Sequence, residues 1–339
     1  MKLTTFTTSE GATVPGVLLS DGLRVAEIPR VHCATTGAAS APIELASLQA
    51  LIEGGEATLE HIRNVMDQVN ASGEERGVHE LGSVRLRAPL PRPVRMRCFS
   101  VYEKHMRQSV DALVEARLGR IGSALNGIVG FIKIPEEFYA APAYYKGNPL
   151  SVIGPDDEVP WPTFRETKLD YELELGVVIG RAGQDISEDS AREHIFGYTV
   201  YNDFSARDRL IREIRGGALG PRKGKDFEGG NAIGPWIVTA DEIPDPKSLR
   251  MEVRVNGQKR GVGTTADMYH SLESIIAEAS VGERLSPGEF FGTGAVGDGT
   301  GIEDWQFLEP GDHVELEIER IGVLCNRIGP RPSGKESRE

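Results

Sequence analysis

Cysteine is scarce in this chain. Its 339 residues include three, Cys33, Cys98 and Cys325, and their wide spacing indicates neither a disulfide framework nor a CxxC metal site. Long apolar runs are missing as well. No window approaches the length that spans a bilayer, and the N-terminal segment lacks the apolar core of a signal peptide. We therefore expect a protein of the reducing cytoplasm without a membrane partner.

Positive charge is also in short supply. The chain has 38 Lys and Arg against 51 Asp and Glu, a formal net charge of -13, which argues against a nucleic-acid partner because phosphate binding needs a positive surface. A bound cation and a few local basic residues can still reverse the field in one pocket, so an anionic substrate remains open. The 40 Gly and 20 Pro favour turns and short strands over a helical bundle.

Local patterns predict a mixture of strands and helices. The turn Ser20-Asp21-Gly22 joins two apolar segments, 14–19 and 23–28, and predicts a β-hairpin; Asn256-Gly257 after the alternating segment 250–255 predicts another. Ser187 is expected to cap a helix. Periodicity places further strands at 84–90, 96–101, 170–180, 197–201 and 314–318, and helices at 43–52, 57–69, 104–118, 187–195 and 267–279.

The order of these elements indicates the fold class. Strands dominate after residue 90, helices are inserted irregularly, and there is neither a repeating βαβ pattern nor an internal repeat. The length allows two domains, and Pro91-Arg92-Pro93 is a plausible linker. We predict an α+β protein with a small N-terminal α/β domain at residues 1–90 and a β-rich catalytic domain at residues 91–339.

Two acidic residues on one predicted strand are candidate metal ligands. Side chains two apart on a strand share a face, so Glu172 and Glu174 point the same way about 6.5–7 Å apart, which suits carboxylates that converge on one hard cation. The alternative is an ordinary half-solvated strand. Residues 314–319 show the same alternation of Glu with apolar residues and give no reason to bind metal, so the spacing alone does not decide.

A dense polar cluster follows the next strand. The segment 202–208, with sequence NDFSARD, comes directly after Tyr201, and site residues often lie where a rigid strand ends in a loop. The alternative is a helix N-terminus capped by Asp203 or Ser205. Asp203 is thus a third candidate ligand.

Several long motifs, in order, resemble the fumarylacetoacetate hydrolase family. They read LDYELELGVVIG at 169–180, IFGYTVYNDFSARD at 195–208, LGPRKGKDF at 219–227, IGPWIVT at 233–239 and PGD at 310–312. The resemblance covers about residues 84 to 330 closely and the N-terminal part loosely. It implies a mixed β-sandwich roll behind a small N-terminal domain, a homodimer, and Mg²⁺ held by Glu172, Glu174 and Asp203, with Mn²⁺ or Ca²⁺ able to substitute.

The resemblance also implies the remaining site residues. The segment SVYEKH at 100–105 is similar to the one that carries the family's catalytic histidine, which gives His105 that role; a neutral imidazole can take a proton from water near a metal. Glu303 would help it, and Lys225 would stabilise an enolate. Arg207 would bind a substrate carboxylate or orient the ligands. The other implied substrate contacts are Tyr102, Lys146 and Thr293.

Three positions depart from the hydrolase pattern. Cys98 stands where some members carry a fourth metal carboxylate, and a thiol is a poor ligand for Mg²⁺, so we interpret it as a non-ligand. Leu210 and Ala295 replace a glutamine and a threonine that contact substrate. The loss of two polar contacts predicts a substrate of different shape or lower polarity, because an unpaired buried polar partner costs about 1–3 kcal/mol.

The function implied is Mg²⁺-dependent hydrolysis of a carbon–carbon bond in an acylpyruvate or related diketo acid. In this scheme His105 activates water, and the metal and Lys225 stabilise the enolate that leaves. The alternative within the family is a 2-oxo acid decarboxylase, dehydratase or isomerase, which needs the same enolate chemistry without hydrolysis. A minor alternative is a metal-binding module without catalysis. The expected partner is a small anionic oxo acid.

Overall fold

The computed structural model describes residues 1–129, 133–164, 168–215 and 220–332. Its strands are β1 Lys2–Thr7, β2 Thr13–Leu18, β3 Arg24–Glu27, β4 Val78–Glu80, β5 Arg85–Arg87, β6 Met96–Ser100, β7 Ala143–Gly147, β8 Val152–Ile153, β9 Glu158–Val159, β10 Leu169–Asp170, β11 Leu173–Ile179, β12 Ile195–Asp203, β13 Ser205–Ala206, β14 Asn231–Thr239, β15 Arg250–Val255, β16 Gln258–Thr264, β17 Phe290–Gly292, β18 His313–Ile318 and β19 Gly322–Ile328. Its helices are α1 Ile28–Thr36, α2 Leu48–Glu53, α3 Gly55–Ser72, α4 Glu103–Val129, α5 Glu136–Ala140, α6 Glu188–Ala191, α7 Arg207–Arg215 and α8 Leu272–Ser280.

A 12-stranded mixed sheet forms the centre of the molecule, in the order β4-β3-β2-β1-β14-β12-β11-β17-β6-β7, with β5 beside β1 and β8 beside β14. A second sheet, β16-β15-β18-β19-β9, has five strands, and β10 pairs with β13. In the described ranges, strands and helices are interspersed without a βαβ repeat, which confirms the predicted α+β class.

The central sheet is covered on both faces, which explains why β11 and β12 are buried along their whole length. On β11, Leu175 and Val177 belong to the core shared with the second sheet, whereas Val178 belongs to the core shared with α1, α2 and α3. This alternation is what a pleated strand between two layers requires. Glu174 lies four residues before Val178 and therefore points to the same face of the strand. This is the face that the N-terminal helices cover.

Strands from both sides of residue 90 share the central sheet. β1 pairs with β14, with Lys2 opposite Val238 and Leu3 opposite Ile237, and β14 pairs in turn with β12. The sheet thus runs through residues on both sides of position 90, and the domain boundary expected there stays a prediction.

Both predicted hairpins are confirmed. β2 pairs with β3, and β15 pairs with β16. The turn between β15 and β16 contains Asn256 and Gly257, whose φ angles of 52° and 73° are left-handed. Other boundaries were wrong. The strand expected at 84–90 covers Arg85–Arg87, and the strand expected at 170–180 is two strands separated at Tyr171 and Glu172.

The helices also differ in length from the sequence prediction. The helix expected at 187–195 is α6 followed by a 3₁₀ turn at Arg192–His194, and the one expected at 267–279 begins at Leu272. Ser187 lies at the N-cap position but makes no capping bond, because its hydroxyl pairs with that of Ser190 at 3.0 Å. Among the described residues, no helix combines the length and apolar character that crossing a bilayer requires.

Candidate active site

Three buried carboxylates converge at one end of the central sheet. Glu172 directly precedes β11, Glu174 lies within it, and Asp203 ends the neighbouring β12. Each residue is at most 6% exposed, and one ligand atom from each lies within 4.8 Å of the others. The antiparallel register places Glu174 opposite Tyr201, so all three side chains reach the same end of the sheet.

Backbone groups hold this cluster in place. The Glu172 N–H donates to Asn202 Oδ1 at 2.9 Å, and the Gly294 N–H donates to Glu174 Oε2 at 2.9 Å. Gly292 has no room for a side chain, since a Cβ there would lie 2.6 Å from Glu174 Oε2. The glycine-rich segment 292–299 therefore approaches the carboxylates closely with its backbone.

Two buried cations accompany the carboxylates. Lys225 Nζ lies 2.7 Å from Glu172 Oε2 and 2.9 Å from Asp203 Oδ2. Arg207 Nη1 lies 2.8 Å from Glu172 Oε1, and its Nε donates to Asp170 Oδ2 at 2.7 Å. Of the two roles predicted for Arg207, this geometry favours orienting a ligand over binding substrate.

Asp170 is a site residue that the sequence analysis missed. It is fully buried and accepts N–H bonds from Gly301 at 2.7 Å and Ile302 at 3.0 Å as well as the bond from Arg207. Asp170 therefore connects the loop after β17 to Arg207, which also contacts Glu172. Its position, two residues before Glu172 in the same alternating motif, was a signal that could have identified it.

The charges around the cluster do not balance. Burial raises the pKa of Glu174 well above its usual range, and the charges of Asp203 and Glu172 raise it further. Burial also opposes ionisation of Glu172, but the charges of Lys225 and Arg207 outweigh it, and the pKa of Glu172 is lowered to about 2. The cations beside Glu172 thus outweigh its burial, whereas the charge of Lys225 does not outweigh the burial of Glu174.

The residues present fit a divalent cation. When all are ionised, the three ligand carboxylates and Asp170 carry four negative charges against the two positive charges of Lys225 and Arg207, and a divalent cation would compensate the remaining two. Asp203 Oδ1 is buried and has no hydrogen-bond partner, although buried carboxylate oxygens are normally satisfied. An all-oxygen donor set is the one that Mg²⁺ and Mn²⁺ prefer.

A histidine–glutamate pair lies beside the cluster. His105, in the first turn of α4, and Glu303 are largely buried, with side chains 12% and 4% exposed, and His105 Nδ1 lies 2.8 Å from Glu303 Oε1. Burial raises the pKa of Glu303, and hydrogen bonding with His105 opposes that rise. The Thr300 N–H donates to Glu303 Oε2, and Thr300 forms a β-bridge with Glu172, so the pair and the carboxylates form one site.

The other residues predicted to contact substrate differ in where they lie relative to the carboxylate cluster. Tyr102 and Thr293 are buried, and the charge on Glu174 reaches the Tyr102 hydroxyl and raises its pKa, after the larger effect of burial. Lys146 is not brought to the cluster: it is exposed, lies opposite Arg97 on β6, and interacts with Glu283.

The neighbour of Lys146 reaches the cluster instead. Tyr145 lies opposite Cys98 on β6, and its hydroxyl donates to Asp203 Oδ2. Successive side chains on a strand point to opposite faces, so β7 directs Tyr145 towards the carboxylates and Lys146 away from them. The sequence analysis missed Tyr145, whose signal was only the alternation of a short strand.

A model of the fumarylacetoacetate (FAA) hydrolase C-terminal family matches residues 109–329. The chain belongs to this family. Among its relatives, the oxaloacetate tautomerase YisK of Bacillus subtilis (strain 168) is 32% identical over 286 residues, which cover 84% of this chain and 86% of the relative. The resemblance stated from the sequence motifs is therefore confirmed.

Solved structures of the family share the fold along nearly the whole chain. A fumarylacetoacetate hydrolase from the psychrophilic Exiguobacterium antarcticum matches with a TM-score of 0.69 and 26% identity, over 98% of this chain and 100% of that one. A maleylpyruvate hydrolase from Sphingobium sp. SYK-6, in complex with manganese(II) ion and pyruvate, matches with a TM-score of 0.69 and 22% identity, over 98% and 100%; at that identity only the fold is comparable.

The three departures from the hydrolase pattern are all buried. Cys98 Sγ lies 3.4 Å from the Tyr201 hydroxyl, and burial, together with the charges of Asp203 and Glu174, raises its pKa well above the usual range. The interpretation that Cys98 is not a ligand stays a prediction. Leu210 packs against Gly224, where a Cβ would lie 2.6 Å from the Leu210 nitrogen.

Proposed function

We propose that this family member is a divalent-metal-dependent enzyme that catalyses keto–enol tautomerisation of a small 2-oxo acid with a second carbonyl or carboxylate group. The observation that carries the proposal is the His105–Glu303 pair beside the buried carboxylate cluster, because tautomerisation requires a proton-transfer group next to a site that polarises a carbonyl. The 32% identity to an oxaloacetate tautomerase supports it. The cation proposed is Mg²⁺, with Mn²⁺ as a substitute.

The protein groups have separate tasks in this reaction. A cation held by Glu172, Glu174 and Asp203 would polarise the 2-oxo carbonyl as a Lewis acid. Glu303 accepts the Nδ1–H of His105, which leaves the Nε2 lone pair to take the proton from the carbon next to the carbonyl. Transfer of a proton to the enolate oxygen completes the enol, and the reverse transfers give the ketone. The Lys225 ammonium adds positive charge where the enolate oxygen develops negative charge.

A second candidate is the hydrolysis of an acylpyruvate, which the sequence analysis expected. The same His105–Glu303 pair favours it, since a histidine held by a carboxylate can deprotonate water as well as carbon. Hydrolysis additionally needs a water held at the pair and space for an acyl group. Tautomerisation needs neither, and for this reason we rank it first. The homodimer and the cytoplasmic location stay predictions.

One set of assays separates the two candidates. Purified protein is mixed with oxaloacetate, the compound named in the Bacillus relative, and separately with acylpyruvates, in Mg²⁺, in Mn²⁺ and in chelator. Faster loss of enol absorbance without release of pyruvate supports the tautomerase. Release of pyruvate and a carboxylic acid from an acylpyruvate supports the hydrolase. Activity that is unchanged in chelator contradicts both proposals.

A matched pair of variants tests the roles of the residues. Glu303→Gln keeps the shape of the side chain but removes the charge that holds the His105 N–H, and we expect kcat to fall by about 100-fold. Glu317→Gln neutralises an exposed carboxylate on β18, where Glu317 pairs with Arg254, and should leave kcat unchanged. An equal effect of the two changes would contradict the proposed proton-transfer pair.

A further inference from the structure

The start of α4 carries His105 and contacts the glycine-rich segment through Asp298. Lys104 Nζ lies 2.6 Å from Asp298 Oδ2, and Gln108 Nε2 donates to Asp298 Oδ1 at 2.5 Å. The Asp298 N–H donates back to Gln108 Oε1 at 3.3 Å. Lys104 and Gln108 are four residues apart and therefore lie on one face of the helix, and they bracket His105 along the chain.

The segment that holds Asp298 is itself fixed to the strand with the metal ligands. The Leu173 N–H donates to the Gly299 carbonyl at 3.1 Å, and Thr300 forms a β-bridge with Glu172. The Thr300 N–H also donates to Glu303 Oε2 at 3.3 Å. Asp298 thus connects His105's helix to the backbone that positions both Glu172 and Glu303.

Two local features indicate that this connection is built into the loop. Gly297 lies directly under the Lys104 stem, since a Cβ at Gly297 would lie 2.5 Å from Lys104 Cδ. Asp298 has a left-handed φ of 63°, a conformation that aspartate accepts better than most residues. Both side chains of the ion pair are partly exposed, Lys104 at 47% and Asp298 at 39%, and exposed pairs contribute little to folding stability.

We infer that Asp298 is a positioning residue for the reaction: by holding Lys104 and Gln108, it sets the distance of His105 from Glu303 and from the carboxylate cluster. The inference rests on the proposed role of His105 as the proton-transfer group. Because small displacements of a reacting group lower rates steeply, loss of this connection should slow turnover more than it weakens substrate binding, which the carboxylate side of the site provides.

Two variants and one control test this role. Asp298→Asn keeps the left-handed backbone and removes the charge, and Lys104→Met keeps the stem on Gly297 and removes the ammonium. Arg107→Gln is the control, because Arg107 pairs with Glu103 on the same helix but on its exposed side. Thermal melting of each variant, followed by circular dichroism, shows whether it is folded, and Lys104→Met gives an independent test if Asp298→Asn fails to fold.

The expected result has two parts. Both test variants lower kcat by about 10-fold or more and change KM by less than about twofold, while Arg107→Gln matches the wild type. Diethylpyrocarbonate modifies His105 at least about threefold faster in the test variants, because the helix turn opens more often; mass spectrometry of the His105 peptide measures this rate without any substrate.

The labelling separates failure of this inference from failure of the proposed function. Wild-type rates of His105 labelling in both test variants overturn the inference, whatever the turnover. If the wild type turns over no 2-oxo acid but labelling accelerates in the variants, the positioning contact is supported and the proposed reaction is wrong. Loss of kcat with unchanged labelling assigns Asp298 another role and also overturns the inference.

Discussion

Neutralising the metal ligand Glu174 should make the protein more stable than the wild type without a cation and less stable than the wild type with one. In wild-type protein without a cation, Glu174 is buried beside two other carboxylates and its pKa is raised well above the usual range. An unfolded glutamate has a pKa of about 4.3, so holding this side chain neutral at pH 7 costs up to about 3.7 kcal/mol at 1.36 kcal/mol per unit. Glu174→Gln removes that cost and keeps an acceptor for the Gly294 N–H.

The cation stabilises the wild type more than it stabilises the variant. A cation at 1,000 times its dissociation constant stabilises the wild type by about 4.1 kcal/mol. This gain exceeds the cost of about 3.7 kcal/mol and raises Tm by roughly 6 °C for a chain of this size. Glu174→Gln loses one of the three ligands and most of this gain. We therefore expect the variant to be the more stable protein in chelator and the wild type to be the more heat-resistant one in Mg²⁺ or Mn²⁺.

Differential scanning calorimetry in chelator and in Mg²⁺ or Mn²⁺ measures this crossover. Because the folded pKa is raised, the penalty is absent below the unfolded value and grows as pH rises, so the advantage of the variant in chelator should shrink between pH 7 and pH 5. Glu317→Gln, on the strand with the same alternating sequence, is the control and should show no crossover. A variant that is less stable than wild type in chelator, or equally stabilised by the cation, would refute this account of the site.

Further outcomes follow from individual contacts. Tyr145→Phe removes the hydroxyl that donates to Asp203, and we expect calorimetric titration to show about 10-fold weaker Mn²⁺ binding. Burial opposes ionisation of Glu273, but hydrogen bonding and Arg192 lower its pKa to about 2; its stabilisation is therefore present above the unfolded pKa and lost as pH falls towards 2. Urea unfolding should show Glu273→Gln about 1 kcal/mol less stable than wild type at pH 7 and equally stable near pH 2. Arg207→Lys cannot bridge Asp170 and Glu172 with a planar fork, and kcat should fall by about 10-fold or more.

Local sequence chemistry was sufficient to predict some of the strands and turns. The Asn256-Gly257 turn fixes a hairpin because both residues accept left-handed angles, and the strand predicted at 197–201 lies within β12. Ser187 shows the limit of the same reasoning. Its hydroxyl had a second partner in Ser190, and a capping rule cannot weigh a contact of that kind.

Predicting the site required information that the spacing of residues along the sequence does not contain. Glu172 and Glu174 share a face by strand periodicity, but the approach of Asp203 depends on the register between β11 and β12. The contrast between Tyr145 and Lys146 depends on register as well, because a shift of one residue exchanges the two faces of a strand. Only the family motifs, read in order, identified the histidine partner of Glu303.

The pairing of β1 with β14 has a consequence for how the protein unfolds. β14 lies between β1 and β12, the strand that ends in Asp203, so residues near the N-terminus are two strands from a metal ligand. Removal of β1 would expose the backbone donors and acceptors of β14 as a new sheet edge. The first 90 residues should therefore not melt separately from the rest, and denaturation should be a single cooperative event in which the cation site and the N-terminal strands are lost together.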